Sequence, residues 1–184
     1  MNSNGNGYSQ FDPTVYKTQK PVYTDTTSAV GGLDVSTTPQ LVSIYGSPTY
    51  FNSTFFTLNH RGYFYADVTG NYNFSVTGVD DVAFIWLGSK AYSGYTRSNA
   101  NMVAGYAAVA GSNYTIFAGT AGVYTPFRIM FGQAQGAIVF QMTVKAPNGT
   151  TIISGSSTYS PNVVQYGCSS ANNAPAYPAW GSET

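Results

Sequence analysis

Charge is scarce in this chain. Charged residues make up 8 % of its 184 residues, against about a quarter in ordinary globular domains. Seven basic residues balance seven acidic ones, and the basic residues are dispersed. Neither nucleic acid nor membrane insertion is expected, because no basic patch marks an electrostatic footprint and no apolar run approaches the roughly 18 residues that span a bilayer. Histidine occurs once, at His60, and cysteine once, at Cys168. Transition-metal sites need clustered imidazoles and thiolates, so that chemistry is excluded. Cys168 forms no disulfide within the chain; it is a free thiol or pairs with a cysteine elsewhere. Glycoside hydrolysis uses two carboxylates about 5 to 10 Å apart across a bond. Asp80 and Asp81 are too close and too alike in setting, while Asp12, Asp25, Asp34, Asp67 and Glu183 fall mostly in arms and turns. No catalytic residue is expected, and the chain does not read as an enzyme.

What is present favours strands. Sixteen Tyr and eleven Phe stand among abundant Thr, Ser, Asn and Gly, the composition of aromatic strands joined by polar turns. Tyr72, Phe74 and Val76 alternate with polar neighbours, as do Ile138, Phe140, Met142 and Val144, each giving one apolar face at a period of two. Arg61 to Thr77 reads as a hairpin turning at Thr69-Gly70-Asn71. Val82 to Leu87 is nearly continuously apolar, as in a strand buried on both faces. Positions 88–110 read as an irregular loop with a short helical turn, and Pro147-Asn148-Gly149 as a turn. The expectation is an all-β fold, an antiparallel β-sandwich or barrel with irregular loops at one end. It occupies residues 31–160, after an N-terminal arm (1–30) and before a C-terminal tail (161–184) that packs on the domain, with Trp180 as its anchor.

Sugar binding suits this composition. Tyrosine and tryptophan offer flat apolar platforms, while amides, arginine and carboxylates supply directional hydrogen bonds. Four N-x-Ser/Thr sequons begin at Asn52, Asn73, Asn113 and Asn148 and agree with secretion. The chain reads as part of a longer secreted or wall-attached protein.

Asp80-Asp81 spends two of the seven acidic residues side by side at the mouth of an apolar strand. Neighbouring side chains of a strand point to opposite faces. Two such carboxylates meet on one target only where the peptide between them is bent or cis. The target that suits them is a hard divalent cation, since calcium takes oxygen ligands and favours carboxylates.

Several further pieces occur in a set order: Arg61-Gly62-Tyr63-Phe64; Thr69 to Phe74; Val79-Asp80-Asp81 followed by Trp86 to Arg97; Ala118-Gly119; Tyr124-Thr125-Pro126-Phe127-Arg128-Ile129; Phe131 to Ala137; and Pro147-Asn148-Gly149. In that order and spacing, Gly62 to Gly149 resembles the GLEYA adhesin domain, a fungal relative of the PA14 domain found in flocculins and epithelial adhesins. The resemblance implies a PA14-like β-sandwich with a calcium-dependent glycan pocket at one end. It further implies that Asp80 and Asp81, joined by a cis peptide, hold Ca2+ together with the Gln133 amide oxygen and the carbonyls of Gln135 and Ala137. Gln133 stands where the family usually has Asn and keeps the amide oxygen. Tyr95, Arg97 and Gln135 are the candidate sugar contacts beside the aspartates. The reading is a cell-surface or cell-wall adhesin domain, a lectin for a terminal hexose or N-acetylhexosamine of glycans. The alternative is the same fold used as a calcium-independent protein-binding or self-associating module.

Overall fold

The computed structural model describes residues 10–35, 40–106, 114–155, 159–165 and 174–183. Cys168 and the sequon at Asn113 lie outside them. The described residues form twelve strands: β1 (Leu33–Val35), β2 (Leu41–Ser43), β3 (Tyr50–Asn52), β4 (Phe56–Tyr65), β5 (Gly70–Asp80), β6 (Val82–Leu87), β7 (Met102–Gly105), β8 (Tyr114–Gly119), β9 (Tyr124–Gln133), β10 (Ile138–Lys145), β11 (Thr151–Ile153) and β12 (Val163–Val164). Two short 3₁₀ turns cover Pro13–Lys17 and Ser89–Ala91.

Every strand pairing among the described residues is antiparallel. One sheet runs β1-β10-β5-β8, with β11 also on β10; the second runs β12-β4-β9-β6-β7. β2 and β3 make a separate ribbon. Neither large sheet closes on itself, so the fold is a sandwich and not a barrel.

The expected hairpin from Arg61 to Thr77 is not one. β4 pairs with β9 and β12, whereas β5 pairs with β10 and β8. Both segments have the alternation expected of a sheet, but period two shows only which side chains share a face. It leaves open whether successive strands share a sheet. Here Val68 to Gly70 carries the chain across the sandwich instead of turning back beside it.

The alternation itself holds. Tyr72, Phe74 and Val76 on β5 and Ile138, Phe140, Met142 and Val144 on β10 are all buried. They meet the second sheet through pairs such as Phe131 on Phe140, stacked at 5.4 Å, and Phe64 on Phe74, edge-on at 5.2 Å. β6 is buried at every position because its sheet is covered on both sides. Its outer face holds a second apolar cluster of Phe84, Trp86, Tyr95 and Met130, closed by Phe11. Phe11 stacks on Phe84 at 5.5 Å. It also passes so close to Gly132 that a Cβ there would sit 2.4 Å from its ring; only glycine allows that approach.

Candidate functional site

The site lies where the chain changes sheets twice, side by side. Asp80 ends β5 and still pairs with Val139 in the first sheet, while Val82 opens β6 and pairs with Gly132 in the second. The peptide joining Asp80 to Asp81 is cis, as the resemblance implied. Residues Ala134 to Ala137 make the opposite crossing, from β9 to β10.

Backbone hydrogen bonds lock the two crossings together. Asp81 N–H donates to the Gly132 carbonyl at 3.2 Å, and Tyr106 N–H donates to the Asp81 carbonyl at 2.8 Å. The Ala134 N–H donates to Asp81 Oδ2. Phe55 N–H, from the loop before β4, donates to the Ala134 carbonyl at 2.9 Å. Phe55 holds this position at a φ of 52°, a left-handed conformation uncommon for a bulky residue and typical of places where the surroundings dictate the backbone.

Acceptors outnumber donors at this end. The Asp80 and Asp81 carboxyl groups hydrogen-bond each other. Burial first, and the charge of Asp81 second, push Asp80 up to about 6. Gln133 lies two residues beyond Phe131 on β9, hence on the inward face, and is 2 % exposed. Its Nε2 donates to the Ala137 carbonyl at 3.1 Å, but its Oε1 is buried without a partner. Two other buried side-chain atoms share that condition among the described residues, His60 Nδ1 and Tyr92 Oη. Both residues pack against aromatic rings, His60 edge-on to Tyr45 and Tyr92 tilted against Tyr177. Gln133 Oε1 instead belongs to a residue flanked on both sides by hydrogen bonds to Asp81. Gln135 is exposed in the same loop.

This donor set suits a hard cation. It consists of carboxylate, amide and carbonyl oxygens, the ligands calcium takes. No cluster of three His, Cys, Asp or Glu exists among the described residues, so the metal would rest on two carboxylates and neutral oxygens. An unpaired buried amide oxygen costs about 1 to 3 kcal/mol, and a cation between it and the aspartates would remove that cost.

Two expected sugar contacts are displaced. Tyr95 is 0 % exposed, its ring 5.3 Å from Trp86 and its hydroxyl donating to Glu183 Oε2 at 2.9 Å. Burial therefore withdraws it from any ligand. Arg97 donates to the Phe11 carbonyl at 2.8 Å and lies 5.2 Å over Phe84. It lines a shallow concavity of about 680 Å³ with Gln10, Asp12, Thr14 and Ser98, on the outer face of the second sheet and not in the mouth between sheets.

Tyr95 belongs to a different polar cluster. Arg61 on β4 and Arg128 on β9 stand directly opposite each other, and like charges so placed repel. Glu183 lies between them, with Oε1 at 2.8 Å from Arg61 Nη1 and 2.7 Å from Arg128 Nη2; Glu183 and Arg128 are both fully buried. Arg128 further donates to the Ala91 and Tyr92 carbonyls and to Asn59. Trp180 caps Arg61 at 3.5 Å.

Tyr106 is the site neighbour that the sequence did not single out. It is 66 % exposed and tethered by its own N–H to Asp81. In the sequence it is one tyrosine of an irregular stretch, and only the tether distinguishes it.

The chain is thus an antiparallel two-sheet β-sandwich with oxygen acceptors gathered at one end. Residues 56–146 match the model of the GLEYA domain, and this stretch is a GLEYA domain. It is 29 % identical over 111 residues to cell agglutination protein pfl4 of Schizosaccharomyces pombe, covering 53 % of this chain and 18 % of that protein. Its fold is similar to the A domain of epithelial adhesin 6 of Candida glabrata in complex with Galβ1-3GlcNAc, at TM-score 0.60 and 20 % identity over 82 % of this chain and 72 % of that one. The A domain of epithelial adhesin 9, in complex with Galβ1-4GlcNAc, gives TM-score 0.55 and 19 % identity over 68 % and 65 %. The chain thus spans less than a fifth of the agglutination protein and about two thirds of the second adhesin domain.

Proposed function

We propose that this chain is a calcium-dependent lectin domain of a fungal cell-surface adhesin, binding a terminal hexose or N-acetylhexosamine of glycans. The observation that carries the reading is the acceptor-rich mouth: Asp80 and Asp81 drawn together, and Gln133, whose Oε1 is buried and unpaired, set between the two residues that hydrogen-bond Asp81. The two carboxylates and the Gln133 oxygen would hold the ion, with the carbonyls of Gln135 and Ala137 as further ligands. Bound calcium supplies open coordination positions that neighbouring sugar hydroxyls can fill. The protein's own part is to fix the carboxylates through the Gly132, Ala134 and Tyr106 backbone bonds and to frame the mouth with aromatic surface. Tyr106 would offer an exposed ring for a sugar face, and Gln135 an exposed amide for a hydroxyl. The similar epithelial adhesin A domains, in complex with Galβ1-3GlcNAc and Galβ1-4GlcNAc, support this substrate class, and the similarity to a cell agglutination protein supports a cell-surface setting.

Replacing Asp80 and Asp81 together with alanine tests the reading. Calcium binding by calorimetry, and chelator-sensitive binding to a glycan array, are expected to vanish while the far-ultraviolet spectrum stays unchanged. Calcium affinity equal to that of the unmodified protein would sink the assignment.

One observation favours the alternative of self-association. β8 is an edge strand of the first sheet, and it exposes Tyr114 at 54 % and Ile116 at 58 %. Unpaired, aromatic edges invite a second strand. Concentration-dependent dimers that ignore calcium and are lost in Ile116→Lys would favour this reading.

A further inference from the structure

Three sequons lie among the described residues, and the sandwich places them very differently. Asn73 is exposed on β5, seven residues before Asp80, hence about 24 Å away along the strand. Asn148 is exposed in the turn after β10, beyond the eight residues of β10 that lead away from the Ala134 to Ala137 crossing. Asn52 is the one at the site end. It closes β3, and the next three residues, Ser53, Thr54 and Phe55, end in the hydrogen bond from Phe55 N–H to the Ala134 carbonyl. Three residues span at most about 11 Å, so Asn52 stands at the rim of the mouth.

Its local geometry fixes the direction of the side chain. Ser53 is buried, 1 % exposed, and its N–H donates to the Gln40 carbonyl at 3.2 Å. Asn52 Oδ1 accepts from Thr54 N–H at 3.0 Å and from Thr54 Oγ1 at 2.8 Å, an Asx turn. Those bonds occupy the oxygen and leave Nδ2 on an exposed residue. A substituent on Nδ2 therefore keeps the turn intact and projects into solvent beside the site.

We infer that Asn52 carries an N-linked oligosaccharide, and that this glycan screens the neighbouring mouth against bulky ligands while admitting small ones. The donor is a polyprenyl-diphosphate-linked oligosaccharide of the secretory pathway. Nδ2 of Asn52 attacks the anomeric carbon, a C–N bond forms and the C–O bond to the diphosphate breaks. The diphosphate leaves with the bonding electrons, and Nδ2 loses one proton. The screening half of the inference rests on the lectin reading; the modification does not.

The test uses the chain secreted from a yeast with intact N-glycosylation. Peptide mass spectrometry after enzymatic deglycosylation in ¹⁸O-water is expected to show Asn52 converted to labelled aspartate. An unlabelled Asn52 peptide as the main species would overturn the inference. Binding is then compared between the secreted protein and the same folded protein trimmed by endoglycosidase, with Asn52→Gln as a second form. The disaccharide Galβ1-3GlcNAc and a large desialylated glycoprotein serve as probes. Trimming should raise affinity for the glycoprotein several-fold and leave the disaccharide unchanged. Equal change for both probes would overturn the screening. Failure of both forms to bind either probe, with Asn52 occupied, would overturn the lectin reading and the screening built on it, and leave the modification standing.

Discussion

Two polar clusters sit in this sandwich, and they are built on opposite principles. On the outer face of the second sheet, Arg61 and Arg128 are matched by Glu183, and Arg128 also reaches two backbone carbonyls and Asn59. In the mouth between the sheets, two carboxylates face each other and the Gln133 amide oxygen has no partner. The first cluster is complete within the chain. Among the described residues the second is short of positive charge and of donors, and the proposed calcium ion would complete it. Buried polar groups that are fully satisfied hold structure together; buried acceptors left unsatisfied point to a ligand.

That contrast can be broken most forcefully at Glu183. Replacing it with alanine leaves two guanidinium groups and the Tyr95 hydroxyl without their shared acceptor. Removing one partner of a buried ion pair costs about 3 to 5 kcal/mol. Denaturant unfolding is expected to show a loss of that size with calcium affinity unchanged, and undiminished stability would refute the structural role of the cluster.

His60 gives the next effect in size. Burial holds its imidazole down to about 4, against an ordinary value of 6.5. The unfolded chain therefore binds the extra proton first. Stability is full above pH 6.5 and falls as pH drops from 6.5 to 4, by on the order of 3 kcal/mol. A His60→Phe variant should flatten that slope in thermal unfolding between those pH values. If the slope persists in the variant, His60 is not its source.

Tyr106→Ala is expected to weaken glycan binding by roughly 1 kcal/mol, about fivefold, through loss of an aromatic face. Calcium affinity should stay as it was, because the tether to Asp81 uses backbone. Smallest is the effect of Asp80→Asn on the calcium-free protein. Removing a carboxylate that burial and Asp81 already disfavour should leave stability unchanged or slightly raised, the reverse of Glu183. A marked loss there would show the aspartates to be structural as well.

Much of this was legible in the sequence because it is local. Alternation marked β5 and β10, continuous apolarity marked β6, and the adjacent aspartates marked the mouth. What the sequence hid depends on which sheet a strand joins. Thr69-Gly70-Asn71 looks like a hairpin turn and lies at a crossing between sheets. Tyr95 looks like an exposed loop tyrosine, yet it is buried and its hydroxyl meets Glu183, 88 residues later. Glu183 looks like a stray acid in that tail and is the counter-ion of two arginines. Arg97 shares the motif with the aspartates but leaves for the other face of its sheet. Local pattern names the face of a strand; it takes the whole topology to say what that face meets.

Calcium titration of the unmodified protein by calorimetry is the most direct test of the central claim. The account predicts saturable binding at a single site, abolished by Asp80→Ala/Asp81→Ala and weakened by Gln133→Leu. Absence of binding heat from protein shown to be folded would mean that the unpaired oxygens of the mouth are not a calcium site.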